Sequence, residues 1–236
     1  FQQKAACHPL LTCLTCCESE TGTIQDYLKF QKYIRENQLG YLLLDATQAI
    51  GKIPLSLKDV DFISFAPHKF GGILGSGILI KRRDVVLTPL IHGGKSISLY
   101  RSSTPSLGLL ASVECALRIA LSSQQENFKK VKKLRDRFLK GIEKNQKILV
   151  NSFMENPYII NISYDGKKAS SVVDYLSSCS ICVSQKSACS ITATPSKVIN
   201  AIYHDKKRAS ESFRISLSDL TTEEEIDTLI KRLEEL

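Results

Sequence analysis

Residues 41–72 read YLLLDATQAIGKIPLSLKDVDFISFAPHKFGG. Two short apolar runs stand in this stretch. Tyr41-Leu42-Leu43-Leu44 ends on an acid, Asp45, and Phe62-Ile63-Ser64-Phe65 leads into Ala66-Pro67-His68-Lys69 and the loop Gly71-Gly72. Apolar runs of this length, bounded by turn formers, read as strands buried on both faces. A third run, Gly77-Ile78-Leu79-Ile80-Lys81, follows. Helical spacing surrounds them, with one helix from about Ile24 to Asn37 that stops at Gly40, and two more between Leu107 and Asn145. Strands alternating with helices predict an α/β protein. In open α/β sheets ligands bind beyond the carboxyl ends of the strands, and Asp45 and Lys69 both lie just past such ends.

The break at Ser122-Ser123-Gln124-Gln125 is the expected domain boundary, giving one domain over 1–123 and a second over 124–236. The second reads as α+β. Tyr158-Ile159-Ile160-Asn161-Ile162 and Ser212-Phe213-Arg214-Ile215-Ser216-Leu217 are strand-like, and Thr222-Glu223-Glu224-Glu225 is a capping box opening the last helix.

The chain has 236 residues and a formal charge of +8. Its one basic run, Lys129, Lys130, Lys132, Lys133, Arg135 and Arg137, is interrupted by Phe128, Val131, Leu134 and Phe138 at helical spacing. That is a solvated helix face before it is a phosphate-binding stripe, so no nucleic-acid partner is expected. Cys7, Cys13, Cys16 and Cys17 cluster near the start. A lone C-x-x-C without a second pair is a weak zinc signal, and 10–17 reads first as a buried strand, so no metal is expected. The scattered remaining cysteines suit a reducing cytoplasm. No apolar run approaches the ~20 residues of a membrane span. Lys4 and the apolar stretch after it faintly mimic a signal peptide. The chain begins at Phe1, however, and a Glu-rich turn follows, so the start reads as a cut end of a longer protein.

Taken singly, the chemical signals are bland. A strand-terminal Asp usually caps a turn, a loop Lys is usually a surface charge, and Gly-Gly is usually only a turn. Together they are what pyridoxal 5'-phosphate requires: a lysine to attach it, an acid to keep its pyridine nitrogen protonated, and donors for its phosphate.

The pieces resemble the cysteine desulfurase family, within the class V aminotransferase group. Glu20-Thr21-Gly22-Thr23-Ile24-Gln25 resembles that family's N-N-E-x-G-x-x-Q turn, and Asp45-Ala46-Thr47-Gln48-Ala49-Ile50-Gly51 its D-A-x-Q-A-x-G strand end. Ser64 to Lys69 resembles S-F-S-x-H-K, while His92-Gly93-Gly94 and Arg101-Ser102-Ser103-Thr104 resemble H-G-G-G…R-S-G-T. Ser187-Ala188-Cys189-Ser190 resembles the G-S-A-C loop, and Phe213-Arg214-Ile215-Ser216-Leu217 with Thr221 to Ile226 the R-x-S-L…T-T-E-E-E-I ending. The motifs run in the family's order along nearly the whole chain.

The resemblance implies a PLP-dependent transferase fold, with an incomplete aspartate-aminotransferase-like large domain and a smaller α+β C-terminal domain carrying the Cys189 loop. It implies conversion of L-cysteine to L-alanine, with sulfur leaving as a persulfide for an acceptor such as an iron–sulfur scaffold, in a homodimer. Lys69 resembles the Schiff-base lysine and proton shuttle. Asp45 would pair with the pyridinium nitrogen and Gln48 with the phenolic oxygen. His68 and Thr104 resemble phosphate ligands, Thr104 serving the neighbouring subunit. Arg214 would clamp the substrate carboxylate, and Cys189 resembles the sulfur-accepting nucleophile in a polar loop.

Two positions depart from the pattern. Ser19 stands where the family has a second Asn on the phenolic oxygen, and Ala66 where it has a phosphate-binding Ser. The first part of the fold, which brings further phosphate and ring contacts, is expected to be absent. Two alternatives therefore stay open: a truncated or degenerate PLP-fold protein without full activity, and a related class V aminotransferase or selenocysteine lyase. An aminotransferase needs no thiol such as Cys189.

Overall fold

The structure, a computed structural model, describes residues 10–58, 60–94, 100–153, 156–186 and 194–236. The chain divides into two compact units, Phe1–Cys16 with Gln25–Gln124, and Cys17–Ile24 with Gln125–Leu236.

The first unit carries β1 (Leu11–Thr15), α1 (Tyr27–Glu36), β2 (Tyr41–Asp45), β3 (Phe62–Phe65), a 3-10 turn (Pro67–Phe70), β4 (Ile78–Lys81) and α2 (Leu107–Ser122). The strands form one sheet in the order β1-β2-β3-β4; β1, β2 and β3 are parallel and β4 runs antiparallel to β3. Leu42, Leu44, Phe62, Ile63 and Phe65 are buried, as the apolar runs predict. Tyr41 in β2 and Leu79 and Ile80 in β4 are exposed, however. β2 is thus covered on one face only, and β4, an edge among the described residues, is not a buried strand. The 10–17 stretch is a strand but not a buried one. Leu11, Cys13 and Thr15 are exposed, and only Cys16 and Cys17, beyond the strand, are buried. Among the described residues β1 pairs with β2 alone, so it forms an edge and its faces are less covered.

α1 starts three residues later than predicted because the Asp26 side chain accepts the Lys29 N–H, a cap that sets the first turn. It also stops before Gly40. Gln38 takes the left-handed conformation at φ 53, and Leu39 N–H returns to Ile34 O at 2.9 Å. This is a Schellman ending, and its apolar contact is the buried cluster Ile34, Leu39 and Leu42. Gly40 lies beyond the cap and leads into β2.

The second unit carries α3 (Gln124–Ile142, its first residue excepted), β5 (Ile148–Val150), β6 (Ile159–Tyr164), α4 (Ala169–Ser178), α5 (Lys197–Tyr203), α6 (Lys206–Glu211), β7 (Ser212–Ser216) and α7 (Glu223–Glu234). Its sheet is antiparallel in the order β5-β6-β7, and every residue of the central strand β6 is buried. Val131, Leu134, Phe138 and Ile142 form the buried face of α3. Lys129, Lys130, Lys132 and Lys133 are exposed, while Arg135 is buried with that face, so the basic run is not wholly a solvated one. Part of the outer side docks α7. Arg137 reaches Asp227 at 2.6 Å and Glu223 at 2.8 Å. The Thr222–Glu225 capping box is present. No helix among the described residues is long and apolar enough to cross a membrane.

Candidate functional site

In the first unit the site begins at the carboxyl ends of β1, β2 and β3, where Thr15, Asp45 and Ser64 stand in register. Asp45 is half-buried, and its Oδ1 accepts the Thr47 N–H at 3.0 Å, which fixes the carboxyl at the mouth of the strand. Gln48 follows on the next turn. Its Oε1 accepts from Lys52 Nζ at 3.2 Å, which orients the amide.

Lys69 lies in the 3-10 turn that ends β3. Its N–H bonds to Ala66 O at 3.1 Å, and Gly72 N–H closes the loop on Pro67 O at 3.0 Å. A Cβ on Gly72 would sit 2.7 Å from Pro67 Cβ, so the tight return after Lys69 needs glycine there. Phe70 packs against Phe65 with ring centroids 6.0 Å apart, and α2 backs the turn through Ser112, whose Oγ accepts the Ile73 N–H at 2.9 Å. Lys69 is half-buried, and its Nζ makes no hydrogen bond among the described residues. His68 and Thr104 are exposed.

The donor set fits pyridoxal 5'-phosphate. A carboxylate, an amide and a primary amine stand beyond the carboxyl ends of neighbouring parallel strands, the place where α/β sheets bind ligands. Ala66, half-buried, offers the phosphate no side-chain donor.

In the second unit the site centres on Arg214 in β7. Its strand position is pinned by a two-way bridge to Ser184, with N–H to O distances of 2.6 and 3.0 Å. Its Nη1 donates to Ser19 O at 2.8 Å, which brings the turn of residues 18–23 onto the strand. Its Nε is buried with no hydrogen-bond partner among the described residues. A buried, unsatisfied charged donor is costly and calls for an explanation; an anionic ligand supplies one. Gly22 holds the turn close to β6. Its φ is +75, and a Cβ there would meet Ile159 at 3.1 Å.

Sequence reasoning passed over the charges around Arg214. Glu20 is buried, and its carboxylate accepts from the Ser196 hydroxyl. Burial pushes the Glu20 carboxyl above the usual range; the Ser196 hydrogen bond pulls it down, Glu18 pushes it up, and Lys186 and Arg214 pull it down. Burial also lowers Arg214 from the ordinary arginine range, while Glu20 and Glu18 push it back. Lys186 is buried and donates to Thr194 Oγ1 at 2.6 Å. The available signal was the acid–polar alternation Glu18-Ser19-Glu20-Thr21, which marks a turn but not its partner. Cys189, with Ser187, Ala188 and Ser190, lies outside the described residues.

Comparison with known proteins follows the same lines. Residues 3–229 match the aminotransferase class-V family. The chain is 34% identical over 238 residues to the cysteine desulfurase IscS of Buchnera aphidicola subsp. Baizongia pistaciae, covering 98% of this chain and 58% of that protein. It is 36% identical to the cysteine desulfurase IscS of Mannheimia succiniciproducens, covering 96% of this chain and 58% of that one. A solved NifS-like protein matches with a TM-score of 0.86 at 32% identity, over 96% of this chain and 60% of its own. The chain thus spans about 58% of the length of these curated relatives.

Proposed function

Because the chain belongs to the class-V aminotransferase family, we propose that it acts as a cysteine desulfurase using pyridoxal 5'-phosphate. The observation that carries this reading is Arg214, a half-buried guanidinium whose Nε lacks a partner among the described residues, as a carboxylate-binding group would. Residues 1–123 act as the C-terminal part of the cofactor-binding large domain and 124–236 as the small domain with the Cys189 loop.

Lys69 attaches the cofactor through Nζ and afterwards carries the proton at the substrate Cα. Asp45 holds the proton on the pyridine nitrogen, Gln48 donates to the phenolic oxygen with Ser19 as a further partner, and His68 and the Thr104 of a second copy bind the phosphate. When bound, the cofactor supplies an electron sink for the substrate carbanion. Arg214 orients the amino acid by its carboxylate. The Cys189 thiolate attacks the substrate sulfur, forming an S–S bond as the C–S bond breaks. Cys189 thiol and L-cysteine thus become Cys189 persulfide and L-alanine. The persulfide sulfur then passes to an acceptor such as an iron–sulfur scaffold, in the cytoplasm.

The test is sulfide release from L-cysteine with added pyridoxal phosphate and a thiol reductant. Cys189→Ser is expected to abolish release while the cofactor absorbance stays that of the parent. Release at the parent rate would remove Cys189 from the reaction, and no release by the parent would remove the desulfurase reading.

A shared phosphate site calls for two copies. The cofactor-loaded protein is expected to sediment as a homodimer, and a loaded monomer at micromolar concentration would refute that. Ala66, which has no side-chain donor, and Ser19, whose hydroxyl is shorter than the family's Asn amide, favour one second reading: a cofactor-fold protein without full activity. That reading accounts for a parent that binds pyridoxal phosphate yet releases no sulfide.

A further inference from the structure

The turn that carries Ser19 is fastened by one carboxylate. Glu18 Oε2 accepts the Glu20 N–H at 2.9 Å, the Thr21 N–H at 2.6 Å and the Thr21 hydroxyl at 2.9 Å. The backbone closes the same turn, with Glu18 N–H on Thr23 O at 2.8 Å and Gly22 N–H on Glu18 O at 3.0 Å. A side-chain oxygen accepting from amides two and three residues on is a turn device usually built from Asp or Asn. Here a carboxylate makes it with three donors, and hydrogen bonds to an ionised acceptor are shorter and stronger than neutral ones.

Ser19 sits inside that loop, and its carbonyl takes Arg214 Nη1. A guanidinium is a rigid plane with five N–H donors in a fixed fork. Holding Nη1 on one acceptor therefore fixes which edge of the plane is left. That edge is Nε with Nη2. Nε is buried without a partner, and Nη2 makes no hydrogen bond among the described residues. A carboxylate docks on such an edge with two parallel N–H···O bonds.

We propose that Glu18 is a positioning residue for Arg214: by holding the Ser19 carbonyl on Nη1, it presents the Nε–Nη2 edge to the α-carboxylate of an amino-acid substrate. The nature of that ligand rests on the desulfurase reading; the positioning of the guanidinium does not. Glu18 touches no reacting atom in this account, and its effect reaches the substrate only through Ser19 and Arg214.

Two readouts separate these layers. The first needs no activity: the rate at which phenylglyoxal, a guanidine-selective dicarbonyl, modifies Arg214, followed by peptide mass spectrometry on the whole chain. Glu18→Ala is expected to raise that rate severalfold, because the loop loses its fastening. Glu18→Gln keeps a carbonyl acceptor of the same reach and is expected to stay close to the parent. Arg208 and Arg135, on other elements, serve as internal controls with unchanged labelling. The second readout is the KM for L-cysteine of the pyridoxal-phosphate-loaded protein. It is expected to rise about tenfold in Glu18→Ala, with little change in kcat and a return towards the parent value in Glu18→Gln.

Equal Arg214 labelling in all three proteins overturns the proposal. So does a rise shared by Arg208 and Arg135, which would mark general loosening, and so does an unchanged KM in an active Glu18→Ala enzyme. Should Glu18→Ala not fold, Glu18→Leu carries the same expectation, since it fills similar space and offers no acceptor to the three donors. If labelling shifts as expected but no protein in the set releases sulfide, the positioning stands and the desulfurase reading falls.

Discussion

Lys69→Ala is expected to lower sulfide release from L-cysteine by about 10²–10⁴-fold, the range that a positioned acid–base group contributes, while Arg214 and the second unit stay intact. The argument begins in the backbone. β3 is buried and ends at Phe65, and the 3-10 turn over Pro67–Phe70 then reverses the chain within a few residues. Gly71 takes φ 95 and Gly72 approaches Pro67 too closely for a side chain. Lys69 is therefore held on a short, rigid turn, backed by Phe70 and α2, instead of on a mobile loop. Its Nζ is committed to no hydrogen bond among the described residues, which leaves the amine available for covalent attachment. Borohydride reduction of the pyridoxal-phosphate-loaded parent should fix the label on the peptide containing Lys69. A label on Lys52 or Lys81 instead, or full turnover by Lys69→Ala, would defeat the assignment.

The elements around Lys69 were legible because their signals are local. β2 and β3 are nearly unbroken apolar runs, which places both as strands; β3 is buried but for half-buried Ser64, whereas β2 buries Leu42 and Leu44 and leaves Tyr41 exposed. Thr222 with Glu225 fixes the start of α7 by a bond within one turn. Where the signal was ambiguous, a neighbouring residue decided the outcome. Gln38, not the expected Gly40, took the left-handed position after α1, since the Leu39–Ile34 contact sets where the Schellman ending falls. The 10–17 run is apolar enough for a core strand, but burial depends on neighbours that a run of residues does not name. β5, α5 and α6 span three, seven and six residues, too short for periodicity to register. β6 also carries Asn161 and Ser163, buried polar residues; the Asn151 amide at the adjacent strand's end donates to Asn161 Oδ1 at 2.7 Å and to Ser163 Oγ at 2.9 Å, while Asn161 Nδ2 has no partner among the described residues.

The site divides in the same way. Asp45 and Lys69 follow from strand ends, and Arg214 from a motif. The link from Arg214 to Ser19 spans 195 positions, and that from Ser196 to Glu20 spans 176. Spacing along the chain carries no trace of such pairings. They exist because Gly22 lets the turn lie against Ile159 and because β7 pairs with β6, and both are tertiary facts.

Arg214→Lys is expected to raise the KM for L-cysteine about 10–100-fold, since losing one charge-assisted hydrogen bond costs about 1.5–3 kcal/mol. The exchange keeps the positive charge, so the surroundings of Glu20 change little: Lys186 and the Ser196 hydroxyl remain, and a cation still faces the buried carboxylate. What the exchange removes is the fork. An ammonium is a point charge on a flexible stem, and it cannot hold the Ser19 carbonyl with one fixed donor while offering two parallel donors to a carboxylate. Ser19 O would lose its partner or the substrate would lose its second bond, and either outcome weakens binding. Because the carboxylate is bound alike before and during bond breaking, the loss should fall on KM and leave kcat within a fewfold. Arg214→Met separates charge from geometry. It strips Glu20 of one of its two cationic neighbours, so it should lower the melting temperature as well as binding, whereas Arg214→Lys should lower binding alone. A KM unchanged in Arg214→Lys would mean that the buried Nε is not a substrate contact, and that the charge of Arg214 serves Glu20 only.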